Sequence, residues 1–186
     1  MTKIISDEQI LALVANESSF ERGFRLLMEA FQERLYWHIR RLVGVHEDAD
    51  DVLQNTFIKA YRGLANFEGK SKIYTWLYRI ATNESLTFLG QRKRLAAASL
   101  DNPDSLVAQR LRADSFFDGD EIQLRLQVAI AQLPDKQRLV FNLRYFEEMP
   151  YEEMATLTDT SVGALKASYH HAVKKVEAFF KGIETY

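Results

Sequence analysis

Hydrophobic positions recur at three- and four-residue steps through most of the chain, and strand-like alternation is hard to find, so the pattern predicts an all-α protein. Ser6 with Gln9 forms a capping-box start for a first helix whose apolar stripe is Ile10, Leu13 and Val14. A second helix opens near Ser18 or Ser19. Its apolar residues Phe20, Phe24, Leu27, Phe31, Leu35, Ile39 and Leu42 keep one face buried until Gly44 ends it. A third begins in the acidic turn 47–51, where negative charge favours a helix N-terminus, and runs to about Leu64. Residues 66–72 read as a loop and residues 74–94 as a fourth helix.

The periodic pattern then stops. Residues 95–120 bring in Pro103, Gly119 and five aspartates (Asp101, Asp104, Asp114, Asp118, Asp120) against Arg110 and Arg112, the composition of an acidic linker. Helical pattern resumes at Glu121 and runs to Leu133, Pro134 restarts a helix, and two more helices follow. The expected organisation is two small helical domains, 1–95 and 121–186, on a tether over 96–120, moving independently of each other.

The C-terminal segment carries the sharpest local pattern. Tyr151 to Leu157 reads as a short helix, Thr158, Asp159 and Thr160 as a turn, and Ser161 as the N-cap of a helix whose stripe is Val162, Leu165, Tyr169, Ala172, Val176 and Phe179. This is a helix-turn-helix pattern. At 100° per residue the stripe leaves Gly163, Ala167, His170 and Lys174 on the opposite face, with Lys166 on the flank. Small residues there let a helix enter a major groove, and the lysines suit phosphates. A plain helical hairpin has the same periodicity, so this segment alone leaves both readings open.

Composition narrows the class. With 24 Lys+Arg, 26 Asp+Glu and 47% hydrophobic residues the chain is ordinary for a soluble globular protein, and any nucleic-acid footprint must be local because the net charge is −2. Cysteine is absent, which removes disulfides, thiolate zinc sites and Cys nucleophiles and suits a reducing cytoplasm. The N-terminus has acids among its first ten residues, unlike a signal peptide, and no stretch approaches the roughly 20 apolar residues of a membrane span. A cytoplasmic protein is expected. Charge is nonetheless asymmetric: residues 70–94 hold six bases (Lys70, Lys72, Arg79, Arg92, Lys93, Arg94) against Glu84, interleaved with Tyr74, Trp76, Tyr78 and Phe88. Bases among aromatics suit a nucleic-acid backbone and unstacked bases, and equally a solvated face over an aromatic core.

Enzyme readings fail on spacing. Gly69, Lys70 and Ser71 resemble the end of a phosphate-binding loop, but Gly63 leaves five intervening residues where four are required. A helical di-iron site needs Glu three residues before His, and those positions hold Leu35, Val43, Ala167 and Ser168. No catalytic residue, metal ligand or cofactor is expected.

Taken in order, these segments resemble the extracytoplasmic-function class of bacterial sigma factors. The stretch Ala49-Asp50-Asp51-Val52-Leu53-Gln54-Asn55-Thr56-Phe57 is similar to the family's polymerase-binding pattern. Phe67, Gly69 and Ser71, followed by Thr75-Trp76-Leu77-Tyr78-Arg79-Ile80-Ala81 and Asn83, resemble its upstream-element reader. Leu133-Pro134, Arg138, Tyr145, Tyr151-Glu152-Glu153-Met154-Ala155, Gly163 and Lys166 follow its fourth region. The resemblance implies that Asp50, Asp51, Gln54, Thr56 and Phe57 contact the RNA polymerase core. It further implies that Asn66, Phe67, Gly69, Lys70, Ser71, Lys72, Arg79 and Asn83 read the −10 promoter element, the loop capturing a flipped base. The −35 element falls to Ser161, Gly163, Ala164, Lys166, Ala167, His170 and Lys174. An anti-sigma factor is a further partner that it allows. The competing class is a helix-turn-helix regulator whose N-terminal half serves only interaction.

Overall fold

The computed structural model describes residues 6–98 and 121–183, and all regular structure among them is helical. Eight α-helices follow in order: α1 (Asp7–Val14), α2 (Phe20–Val43), α3 (His46–Leu64), α4 (Ile73–Ala98), α5 (Glu121–Ala131), α6 (Asp135–Tyr145), α7 (Tyr151–Thr158) and α8 (Val162–Ile183). A short 3-10 turn, Glu17–Ser19, leads into α2.

Local chemistry sets these boundaries as expected. Ser6 and Gln9 exchange the two bonds of a capping box. Gly44 ends α2 at φ 101°, where a side chain would be strained, and its N–H caps the Arg40 carbonyl. Helix α4 runs on to Ala98, beyond the expected start of the tether; residues 99–120 lie outside the described residues, and so does the expected acidic linker.

Helix α2 is the spine. Leu27, Leu35, Ile39 and Val43 are at most 1% exposed, and α1, α3, α4 and α6 all pack around it. The predicted stripe is therefore correct, with α3 supplying Ala49, Val52 and Ala60 and α4 supplying Ile73, Leu77 and Tyr78 to the same core. At the α1–α2 crossing, Gly23 allows backbone contact: a Cβ there would meet Val14 Cγ1 at 2.7 Å and Leu13 Cβ at 2.9 Å.

The C-terminal half does not stand apart. Leu139, Val140 and Leu143 of α6, Met149, Met154 and Leu157 around α7, and Leu165 of α8 belong to the same buried cluster as the α2 and α4 residues. A second, smaller cluster of Ile130, Leu133, Phe141, Ala172 and Val176 joins α5, α6 and α8. The two halves expected on a tether thus pack against each other in this structure. The reason is apolar: α6 and α7 each present hydrophobic residues to both sides, and sequence periodicity does not say which partner covers the outer ones.

Two polar groups cross the core. His38 of α2 is fully buried, with Nε2 3.0 Å from Thr82 Oγ1 of α4 and its ring 4.8 Å from that of Tyr78. Burial first, and the Arg41 charge second, lower its pKa from 6.5 to about 3. The folded chain therefore holds His38 neutral through a window in which the unfolded chain binds a proton, so stability is intact above pH 6.5 and falls as the pH drops toward 3.

Two measurements follow. Between pH 7 and pH 5 the wild type should lose about 2 kcal/mol more stability than His38→Gln in denaturant titrations, and parallel curves would refute a neutral buried imidazole. Gly23→Ala should destabilise by about 1–3 kcal/mol through the α1 clash, whereas Gly90→Ala, in mid-helix with no atom within 4 Å of the new Cβ, should gain about 0.5–1 kcal/mol. Thermal melts of both variants check the opposed signs.

Candidate polymerase and promoter interfaces

The first turns of α3 put Asp50, Asp51 and Gln54 on the surface, and Asp50 Oδ2 lies 3.3 Å from His46 Nε2. Thr56 and Phe57 sit elsewhere than a surface reading places them. Thr56 is fully buried, its hydroxyl donating to the Val52 carbonyl at 2.8 Å, and Phe57 is 8% exposed. Phe57 instead walls an open groove of about 730 Å³ between α2 and α3, with Phe24, Met28, Leu53, Ile58 and Tyr61, and Asp50, Gln54, Gln32 and Arg62 lie around it. Edge-on aromatic contacts among its lining residues, Phe24 to Tyr61 at 5.0 Å and Phe24 to Phe57 at 6.4 Å, hold its wall. Ile58 and Tyr61 remain more than 40% exposed. Such an apolar groove rimmed by polar groups has the makeup of a protein-binding surface. The sequence signal for it existed: Ile58 falls off the buried stripe of α3, where an apolar side chain has no core to join.

The loop 66–72 is held at one end and open at the other. Phe67 is half-buried with its ring 5.2 Å from that of Trp76, so it anchors the loop on α4. Asn66, Gly69 and Lys70 are exposed, Ser71 partly so, and Gly69 takes φ 69° with nothing near its Cα face. Lys70 is ion-paired with Glu68. Lys72 donates to Glu153 Oε1 at 2.9 Å, and Arg79 donates to the Thr156 carbonyl, both partners lying on α7. The aromatics of α4 are chiefly core. Tyr78 is fully buried and donates to Glu147 Oε2 at 2.7 Å, with burial first and Glu147 next raising its pKa, and burial together with Glu147 pushes Tyr74 up to about 12. Between the solvated-face and base-stacking readings of these aromatics, the packing of Tyr78 and Trp76 favours the first.

The helix-turn-helix pattern is present as read. Helix α7 ends at Asp159, in the left-handed region at φ 51°, and Ser161 Oγ accepts from the Ala164 N–H at 3.3 Å to cap α8. Leu165, Ala172 and Val176 are buried, and Tyr169 stacks on Phe141 at 5.9 Å. Ser161, Gly163, Lys166, Ala167, His170 and Lys174 are exposed, and Lys166 Nζ lies 5.6 Å over the Tyr151 ring. Ala164 is exposed too, but faces inward with Ser168 across a cleft of about 880 Å³ whose other wall includes Arg79 and Asn83. Candidate residues for both promoter elements thus share one cleft.

One residue matched only by resemblance turns out to be structural. Arg138 is 4% exposed, and its guanidinium donates to the carbonyls of Leu42 (2.9 Å), Ala131 (2.5 Å) and Leu133 (3.1 Å). Three acceptors from two helix ends are what its planar fork fits. No periodicity argument finds such a residue, because it sits at a core position as a cation.

Comparison with known proteins agrees with this geometry. Residues 27–95 match the Sigma-70 region 2 family and residues 123–176 match Sigma-70, region 4. The chain is 34% identical to the RNA polymerase sigma-H factor of Pseudomonas aeruginosa, with 92% of each chain covered. It is 28% identical to the ECF RNA polymerase sigma-E factor of Escherichia coli K12 over 95% of each. Among solved structures, the sigma factor RpoE of Bartonella quintana, in complex with the anti-sigma factor NepR, matches with TM-score 0.68 at 21% identity, covering 86% of this chain and 98% of that one. CnrH, in complex with the cytosolic domain of CnrY, matches with TM-score 0.67 at 22% identity over 95% and 97%. The chain belongs to the extracytoplasmic-function sigma factors, the promoter-recognition subunits of RNA polymerase. Both matched regions occur in order, which favours a sigma factor over a regulator that uses the helix-turn-helix alone. Among the described residues no helix is long and apolar enough to cross a membrane.

Proposed function

We propose that the α2–α3 groove and its Asp50, Asp51 and Gln54 surroundings dock the chain on the polymerase core, that loop 66–72 with Arg79 and Asn83 reads the −10 element, and that the outer face of α8 reads the −35 element. The observation that carries this reading is the exposed apolar pair Ile58 and Tyr61 in a groove bordered by Asp50 and Gln54, on the segment where the resemblance lies. A fold that leaves large side chains in an open groove gains nothing unless another surface covers them. The division of labour follows the two matched regions, with 1–95 serving the core and −10 element and 121–186 the −35 element. The chain works by binding, not by catalysis, in the cytoplasm where polymerase is. An anti-sigma protein is a further partner, a reading supported by the NepR complex of the Bartonella relative.

Ile58→Asp and Asp51→Arg should each weaken binding to polymerase core by about tenfold or more, while stability stays within about 0.5 kcal/mol of wild type. Titration of labelled chain with core enzyme measures the first and thermal melts the second; undiminished affinity for both would remove the groove from the interface. On α8, Ala167→Glu sets a carboxylate against DNA and should cut initiation from a −35-dependent promoter by at least about tenfold. Lys174→Ala should weaken all promoters alike, as loss of one phosphate contact does. Unchanged initiation by Ala167→Glu would show that another face of α8 reads DNA.

A further inference from the structure

Helix α8 buries Leu165, Ala172 and Val176 against α5, α6 and α7 and leaves Gly163, Ala167, His170, His171, Lys174 and Lys175 exposed. Periodicity puts His170 on the outer stripe and passes over His171, yet the two belong together. At about 100° per residue they lie about 40–60° to either side of the line through Gly163, Ala167 and Lys174. Their rings diverge, with centroids 6.0 Å apart and planes at 59°.

That placement has a meaning on duplex DNA. A helix with its side chains is about 10–12 Å across and the major groove about 12 Å wide, so residues on the central line face base edges and residues at its flanks face the two phosphate walls. Gly163 and Ala167 carry little or no side chain, which lets the N-terminal end of α8 sit deepest. The two imidazoles follow one turn later, at the level of the backbones.

Charge decides what they do there. A neutral imidazole offers one N–H donor, whereas an imidazolium offers two and a positive charge. Imidazole is the side chain whose charge changes between pH 5 and 8. Along α8 the charged neighbours are Lys166, Lys174 and Lys175 against Glu177. On the elements packed against α8 the charges are engaged elsewhere: Arg125 with Glu121, Asp135 with Lys93, Glu153 with Lys72, Glu147 with Arg41, and Arg138 and Arg144 with backbone carbonyls. Lys136 and Asp159 line the cleft at Ala164 and Ser168, and Glu148 and Glu152 are exposed around the start of α7. Among the described residues no hydrogen bond or ion pair ties up either imidazole. A phosphate set beside such a ring favours its charged form, so binding and protonation reinforce each other.

We propose that His170 and His171 form a proton-charged pair that grips the phosphates of the two strands at the −35 element, which makes His171 a further DNA-contact residue and tightens the hold of α8 on the promoter as the pH falls. The proposal rests on the −35 reading above. An arginine in either place would hold the same phosphate at any pH, and an imidazole holds it as a cation only with its proton.

The test titrates holoenzyme, reconstituted with the full chain, with duplex DNA that carries the −35 element and stops short of the −10 element, at pH 6 and pH 8 over a range of salt. Wild type should bind about fivefold or more tighter at pH 6, with a salt slope steeper by about one to two units, since each added phosphate contact contributes about 0.9. The double variant His170→Gln, His171→Gln should keep the pH 8 affinity at both, and His170→Arg with His171→Arg the tighter affinity at both. Each should melt like wild type, because both sites are exposed. Titration of polymerase itself is common to all three and drops out of the comparison. Parallel pH curves for wild type and the Gln double variant would overturn the proposal, provided that Ala167→Glu still abolishes binding; if Ala167→Glu also binds like wild type, the −35 reading of α8 has failed instead. A pH response lost entirely with His170→Gln alone would take His171 off the DNA face.

Discussion

The C-terminal end of α2 is where the structure is decided. Helix α2 carries an uninterrupted apolar stripe from Phe24 to Val43, so α1, α3 and α4 condense on it, but its final turn offers carbonyls that no backbone donor reaches. Arg138 and Asn142 come from α6 to take them, and Arg92 of α4 donates to the Val43 carbonyl and to Asp48 at 3.1 Å. A buried carbonyl without a donor costs more than an ordinary hydrogen bond gains, so these side chains fix how both α4 and α6 approach. The rest of the interface between the halves, with Glu147 at its edge, follows from that placement.

This constraint links architecture to promoter reading. The two proposed DNA-reading surfaces lie on small helical modules that have apolar residues to spare. Leu139, Val140, Leu157 and Leu165 are covered in the same buried cluster as residues of α2 and α4. Burial at about 25 cal/mol per Å² makes such cover favourable wherever the geometry permits. The groove between α2 and α3 lies away from this contact and stays open, with Ile58 and Tyr61 exposed. The arrangement therefore leaves the proposed docking groove open while the two candidate DNA faces look at each other.

Several aromatic and basic residues change meaning on this background. Phe67, Trp76 and Tyr78 belong to the packing that supports the loop 66–72, while Asn66, Glu68, Gly69 and Lys70 are exposed on it, Lys70 paired with Glu68. Lys72 and Arg79, basic residues of the N-terminal half, bond to α7 in this structure. Their partners there, a carboxylate and a carbonyl oxygen, are acceptors, as a phosphate is.

Helix existence and type were legible in the sequence because they depend on local chemistry and on period: the capping box at Ser6, the α2 stripe, Gly44 at a positive φ, Ser161 before α8 and the inner face of α8 are written within a few turns of chain. The family was legible too, since its motifs are short and lie in order along 27–95 and 123–176. Which surface covers α6 and α7 was not. Arg138, Glu147 and Tyr78 act across separations of 69 to 106 residues, through bonds to Leu42, Arg41 and each other. Periodicity reports only that a face is apolar, and composition only that a charge exists. Whether a charge is solvated, caps a helix end or pairs across the core depends on which distant carbonyl or carboxylate the folded chain brings within about 3 Å of it, and that was settled by packing.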